Sequence, residues 1–338
     1  MNMKRVGLDL AKQVFQVHGV DTHERVVCRR QLKRAQVLDF FRQLTPCLVA
    51  MEACGSAHYW ARELRKLGHE ARLIAPQFVK PYVKGDKHDA HDAEAICEAA
   101  SRPGMRYVSV KCAEQQAAQA VHRIRSRLVR ARTALSNEVR GLLGEFGIVS
   151  SRHGRAASSE LLNLVVAGEH DQLPAPMGTL LTDLKEELQA LDLRIAKLNQ
   201  LILNNVRSDV RIQRLLAVEG VGPISATALV AAVGDARQFR TARQFAAWLG
   251  LVPRQHSSGG QQRLGKISKR GDTYLRTLLI HGARAVIRTC ATKTDARSRW
   301  LQGLLQRRNQ NTATVALANK NARILWALLS RETSYQPG

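Results

Sequence analysis

The order in which short apolar strands and helices alternate over the first hundred residues constrains the fold more than any other feature. Residues 4–9 (KRVGLD), 13–20 (QVFQVHGV) and 26–32 (VVCRRQL) are short, rich in β-branched side chains and separated by turn-like stretches, the pattern of three strands in a meander. A helix is predicted at about 34–44, an apolar strand at 46–53 (PCLVAMEA), a helix at 57–68 closed by Gly68, and another strand at 70–75 (EARLIA). A helical stretch from about 89 to 100 (DAHDAEAICEAA) completes a βββαβαβα order.

That order is the order of the ribonuclease H fold, so the expected fold class is α/β, RuvC-like, with the first and fourth strands as neighbours. Asp9 ends the first strand and Glu52 the fourth, which brings two acids to one sheet edge. Asp89 and Asp92 are three apart, share a helix face and can project toward that edge. A DxxD alone is ordinarily an N-cap and an acidic first turn. Four carboxylates in one place, however, repel one another unless divalent cations lie between them, and that is the two-metal arrangement for phosphodiester chemistry. The expected cofactor is Mg²⁺, two ions per site, held by Asp9, Glu52, Asp89 and Asp92. An oxygen-rich site leaves His88 and His91 as outer or surface residues, while Asp86 and Glu94 fall off the shared face into solvent.

Charge names the partner. The 338 residues carry 52 Lys and Arg against 28 Asp and Glu, a formal net charge of +24, and the commonest polyanion a soluble chain meets is a phosphate backbone. Residues 211–338 alone hold 21 basic and 5 acidic side chains, net +16. An anionic membrane surface fits the charge as well, but the N-terminus MNMKRVGLDL lacks the apolar run of a signal peptide and no stretch approaches the ~20 apolar residues of a span. A cytoplasmic, nucleoid-associated bacterial protein is expected. Cysteines 28, 47, 54, 97, 112 and 290 contain no CxxC pair, so neither a zinc site nor a disulfide framework is indicated.

Further motifs follow. Residues 121–132 (VHRIRSRLVRAR) place Arg123, Arg127 and Arg130 on one helix face, with Arg125 and Arg132 widening the basic surface and Ile124, Leu128, Val129 and Leu135 left to pack. Five arginines in ten residues favour nucleic acid over a merely solvated face. Leu181, Leu184, Leu188, Leu191, Ile195, Leu198 and Ile202 alternate spacings of three and four, which is either a coiled-coil seam for self-association, the favoured reading, or a helix packed within the protomer. The segment 215–235 puts Gly220 and Gly222 in a turn between two apolar helices, a helix-hairpin-helix whose amides grip phosphate or a plain structural hairpin. Residues 239–285 then run from a helix through a Ser/Gly loop bearing Arg254, Arg263, Lys266, Lys269 and Arg270 into a further helix.

Taken together, GLDLAK, MEACGSAHYW, KHDAHDAEAI, VEGVGPISATALVAAVGD, ARQFAAWLGLVPRQHSSGG and ISKRGDTYLRTLLIHGARA resemble the DEDD transposases of bacterial insertion sequences, relatives of the Piv-type DNA invertases and now known as bridge-RNA-guided recombinases. The resemblance implies a RuvC-like catalytic domain with the Arg-rich helix at 1–145, a linker at 146–178, a coiled coil at 179–207 and a C-terminal, mainly helical transposase domain at 208–332. It implies that Asp9, Glu52, Asp89 and Asp92 are the DEDD acids and that Ser258, before Gly259, is a nucleophile that forms a phosphoserine linkage to DNA; Ser257 is its neighbour. Donor and target DNA, a noncoding bridge RNA and a homo-oligomer assembling from dimer to tetramer are the implied partners. A RuvC-like junction nuclease using water, and a non-catalytic nucleic-acid-binding protein, are the rival readings.

Overall fold

The computed structural model describes residues 2–84, 89–149, 162–163 and 173–336, with the side chains of Asp89, Ala90 and Ala175 outside that description. Asp86, His88 and most of the expected linker at 146–178 also lie outside the described residues. Contacts divide the chain into two compact units, Met1–Gln116 with Val233–Arg240, and Ala117–Ala232 with Thr241–Gly338.

The first unit is built on six strands, β1 (Arg5–Leu10), β2 (Val14–Val20), β3 (Val26–Lys33), β4 (Leu48–Glu52), β5 (Glu70–Ile74) and β6 (Tyr107–Val108), in the spatial order β3-β2-β1-β4-β5-β6. β1, β2 and β3 form the antiparallel meander, β4 and β5 run parallel to β1, and β6 returns antiparallel on β5. Parallel neighbours need crossover segments. Helices α1 (Val37–Arg42) and α2 (Ala57–Lys66) supply them, and α3 (Pro76–Val79) and α4 (Asp89–Ser101) follow β5.

Strand alternation decides which helix covers which face. Val6, Leu8, Val49, Met51 and Leu73 are buried with Phe41, Trp60 and Leu64 of α1 and α2. From the opposite face Ala50 and Ile74 pack on Ala95, Ile96 and Ala99 of α4. Gly7 sets the approach of α4, because a β-carbon there would lie 2.1 Å from the Ala93 carbonyl oxygen and 2.6 Å from the Cys97 nitrogen. Two residues earlier on the same strand face, Arg5 Nε donates to the Cys97 carbonyl (2.9 Å). Successive positions 5 and 7 of β1 therefore meet positions 97 and 93 of α4.

The second unit contains two long helices, α5 (Ala113–Gly144, which starts at the end of the first unit) and α6 (Ala175–Ser208). Arg125 Nε donates to Asn199 Oδ1 (2.6 Å) and Arg132 Nε to Asp192 Oδ1 (2.7 Å), so seven residues up one helix match seven down the other and the pair is antiparallel. Leu128, Leu135, Val139 and Leu143 of α5 are buried against Leu181, Leu188, Leu191 and Ile195 of α6. Of the two readings of the leucine repeat, packing within the protomer is the one found: the seam lies against α5, which carries a matching stripe.

Among the described residues six shorter α-helices follow: α7 (Val210–Leu216), α8 (Pro223–Val233), α9 (Ala242–Trp248), α10 (Thr273–Thr289), α11 (Ala296–Arg307) and α12 (Gln310–Arg331). A two-stranded ribbon, β7 (Pro253–Gln255) with β8 (Leu264–Ile267), lies between α9 and α10.

Candidate active site

Register carries the acids together. Leu8 of β1 pairs with Met51 of β4, so Asp9 and Glu52 follow on adjacent strands, on the sheet face that Gly7 and Ala50 share with α4. Continuing the walk of β1 along α4 from 97 to 93 brings position 9 level with the helix start, where position 89 stands one turn before Ala93 and Asp92 immediately precedes it. Burial raises the Glu52 carboxyl above the ordinary range, and the nearby Asp92 carboxylate raises it further. The Cys54 thiol is pushed up by burial and then by Glu52 and Asp9. Glu52 is thus near Asp92, and Cys54 near Glu52 and Asp9, at the end of β1 and β4.

Among the described residues no group of three or more His, Cys, Asp or Glu side chains is drawn together tightly enough to hold a metal ion as it stands. The donor set nevertheless suits a hard divalent cation: the acids are carboxylates with no thiolate or imidazole required among them, and a positive charge there would offset the burial and the Asp92 repulsion that raise the Glu52 carboxyl. The expected solvation of Glu94 is a correction. It is half-buried and sits 3.6 Å from both the Arg29 guanidinium and the Lys84 ammonium, because its place on α4 faces β3. His91 is exposed.

Ser258 stands in a very different setting. Gly259 (φ 56°) and Gly260 (φ 77°) form a two-residue turn with both central residues left-handed, which is the turn that fits a twisted hairpin. Ser258 bridges to Gln261, whose N–H donates to its carbonyl (3.1 Å), so Ser258 is the last residue before the tip. Every residue from Pro253 to Lys266 is exposed, including Arg254, Arg263 and Lys266, as are Lys269 and Arg270. The Ser257 hydroxyl accepts a hydrogen bond from Gln255 Nε2 (2.9 Å). The ribbon's base is held firmly: a β-carbon on Gly250 would fall 2.0 Å from the Arg270 oxygen and one on Gly271 would fall 1.9 Å from the Trp248 oxygen, while buried Arg276 donates to the Leu249 and Arg270 carbonyls (3.2 and 3.3 Å).

The basic helix divides. Arg123, Arg127 and Arg130 are exposed, Arg125 is half-buried on Asn199, and Arg132 is buried on Asp192 and Ser136. Arg132 therefore does not belong to the basic surface, since its charge is spent inside the helix pair, and Ile124, expected to pack, is 44% exposed. In the turn between α7 and α8, Gly222 meets open space, whereas Gly220 is pressed on Gly282 of α10, whose added β-carbon would lie 1.8 Å from the Gly220 oxygen. Behind that turn, buried His122 of α5 bonds Thr227 Oγ1 of α8 (3.0 Å) and Tyr274 Oη of α10 (3.2 Å), and its ring is pushed down to about 4 by burial and by Arg125.

Acids at adjacent strand ends on one unit and an exposed basic ribbon on the other are groups of the kind that phosphodiester chemistry uses. Comparison with known families makes the class definite: residues 6–148 match a DEDD-type transposase family, and residues 212–299 match the family described as "Transposase IS116/IS110/IS902 family". The chain is similar over its full length to a probable family 20 transposase of Pseudomonas aeruginosa (80% identity, all of both chains). It is also similar to the transposase for insertion sequence element IS1111A of Coxiella burnetii (47%, all of this chain and 92% of that one) and to the transposase for IS1328 of Yersinia enterocolitica (39%, 99% of each). The chain belongs to the IS116/IS110/IS902 family of insertion-sequence transposases, and its activity is the cutting and rejoining of DNA strands. Among the described residues no helix is long and apolar enough to cross a membrane.

Proposed function

We propose that the first unit is a RuvC-like domain of the ribonuclease H fold whose Asp9, Glu52, Asp89 and Asp92 hold two Mg²⁺ ions, and that Ser258 is the nucleophile of a DNA recombination reaction. The meeting of Asp9, Glu52 and Asp92 on neighbouring elements, with Glu52 raised by burial and by Asp92, is the observation that carries it. Bound Mg²⁺ would supply positive charge for the attacking and leaving oxygens of an in-line phosphoryl displacement. Ser258 Oγ attacks phosphorus, gives up its proton, and forms a phosphoserine ester as the P–O bond to the departing strand breaks and that strand leaves as a hydroxyl. Attack by the hydroxyl of a new strand reverses these changes, restores the serine and makes the recombinant phosphodiester. Bond energy is conserved throughout, so no external energy source enters.

Ser258 is favoured over Ser257 because the Ser257 hydroxyl is already engaged by Gln255. The ribbon's arginines and lysines, with Arg123, Arg127, Arg130 and the exposed Gly222, support backbone contacts to donor and target DNA, and the same charge suits a structured noncoding bridge RNA that delegates sequence choice to base pairing. Two duplexes exchanged through four strand events suit four subunits, built from outer helix surfaces now that the leucine seam is internal.

The test uses purified protein, the RNA from the element's flank, Mg²⁺ and end-labelled donor and target DNA on a denaturing gel. Label trapped on wild-type protein and lost with both Ser258→Ala and Asp89→Asn is expected. Free cut ends that persist in Ser258→Ala and vanish in Asp89→Asn would replace this mechanism with hydrolysis by a RuvC-like nuclease.

A further inference from the structure

A cleft of about 370 Å³ opens over β2, β3 and α4, lined by Gln16, Val17 and His18 of β2, Arg29, Arg30 and Gln31 of β3, and His91 and Glu94 of α4. Pairing fixes which of these side chains share a face with the acids. Asp9 is opposite Gln16, and Gln16 opposite Gln31; one row away, Gly7 is opposite His18, and His18 opposite Arg29. Two polar rows thus run from the carboxylate end of β1 across β2 to β3, the edge strand, over about 10 Å at the usual ~4.8 Å strand spacing. That span fits two or three nucleotides of a strand at ~3.4 Å rise each.

The chemistry of the rows is that of a phosphate seat. Gln16 and Gln31 offer neutral amide donors, and Arg29 offers a guanidinium that is 66% exposed. Among the described residues its ionic neighbour is Glu94, at 3.6 Å, an ion pair too long for a hydrogen bond, so that pairing leaves guanidinium donors for a ligand. Arg30, one residue along, alternates to the other face, where its guanidinium lies over the Phe40 ring at 5.8 Å. Charge on an edge strand also serves to prevent edge-to-edge pairing. That role would be served equally by both arginines; both line the cleft, but Arg29 is the one in the row with Gly7 and His18 and beside Glu94, while the Arg30 guanidinium is turned to Phe40.

We propose that this cleft binds a backbone phosphodiester of the DNA strand that runs onto Asp9 and Glu52, with Arg29 as the contact that positions it and Glu94 as the acid the phosphate displaces. The inference rests on the proposed cleavage site for the direction of the strand, but phosphate binding is readable without cleavage.

The experiment measures binding of full-length protein to a labelled single-stranded target oligonucleotide, with Ca²⁺ in place of Mg²⁺, in a set where each phosphate in turn is a neutral methylphosphonate. Wild type is expected to lose roughly 10-fold at one or two positions, in keeping with one charge-assisted contact. Arg29→Gln is expected to lose the same factor on the unmodified strand and to become insensitive at those positions. Arg30→Gln, with the same change in formal charge, should keep the full pattern, and Glu94→Gln should bind a few-fold more tightly. Equal losses in Arg29→Gln and Arg30→Gln, or a positional pattern unchanged by Arg29→Gln, would overturn the proposal. An RNA strand of the same sequence forms the second arm: an Arg29-dependent pattern on RNA and none on DNA would also overturn it. Absence of trapped label in the cleavage assay sinks the serine mechanism and leaves this pattern independently measurable.

Discussion

The carboxylate site and the serine ribbon are made in opposite ways. Asp9, Glu52 and Asp92 sit half-buried on adjacent strands and a helix whose spacing is dictated by Gly7, so folding of the first unit brings them together. Ser258 stands near the tip of a ribbon exposed on both faces and anchored at its base, where Gly250, Gly271 and Arg276 interlock and Asn319 Nδ2 donates to the Leu251 carbonyl (3.0 Å). Isolated two-stranded hairpins are marginal in water. Packing of β1, β4 and α4 positions the first region, whereas a glycine turn and its anchored base position the second.

Changes in the first region should therefore disturb stability and activity together, and changes in the second should disturb activity alone. The largest effect is expected from Gly7→Ala, whose β-carbon collides with α4 backbone that cannot swing aside. A loss of about 3 kcal/mol or more is expected in urea unfolding, with strand cleavage abolished. Acid is the next strongest lever. His122 is held near 4 in the folded chain against an ordinary 6.5, so as pH falls the unfolded chain takes up the proton first. Stability of the α5, α8 and α10 packing around His122 should be full above 6.5, fall by on the order of 2 to 3 kcal/mol as pH approaches 4, and level off below; His122→Gln should flatten that slope in urea melts across pH.

Glu52→Gln is a smaller and opposite case. The folded state holds the Glu52 proton more tightly than the unfolded state, so the ionised side chain costs stability increasingly as pH rises above the ordinary carboxylate range. The glutamine variant should melt slightly higher than wild type at pH 8 without divalent cations, and should lose both the upward shift on adding Mg²⁺ and all cleavage. Ser258→Ala should be the smallest in stability, within about 0.5 kcal/mol, while removing trapped product completely. A melting shift in Ser258→Ala comparable to that of Gly7→Ala would break the contrast between the regions.

Much of the first unit was legible in the sequence. The five main strands, α2 and α4 fall within two residues of their expected bounds, because β-branched runs bracketed by turn residues leave few alternatives, and the neighbouring of β1 and β4 follows from their order. Strand β6 escaped because two residues carry no period; its pairing on β5 is a tertiary event. The leucine seam was visible and its partner was not, since the α5 stripe of Leu128, Leu135, Val139 and Leu143 is interrupted by Arg132 and Ser136. Asp192, lying within the leucine repeat of α6, was the available hint that an arginine would be drawn inward. The cleft of Gln16, His18, Arg29 and Gln31 could have been found from strand alternation once the pairing was known, but four residues on two strands have no linear spacing to betray them.

The helix pair α5–α6 also sets a measuring length. At 1.5 Å per residue the 34 residues of α6 extend about 51 Å. Duplex DNA covers that distance in about 15 base pairs, or nearly one and a half turns. A duplex laid alongside the pair would present nearly opposite sides at the two ends of α6, so a grip near residue 175 and a grip near residue 208 would fall out of helical phase with each other.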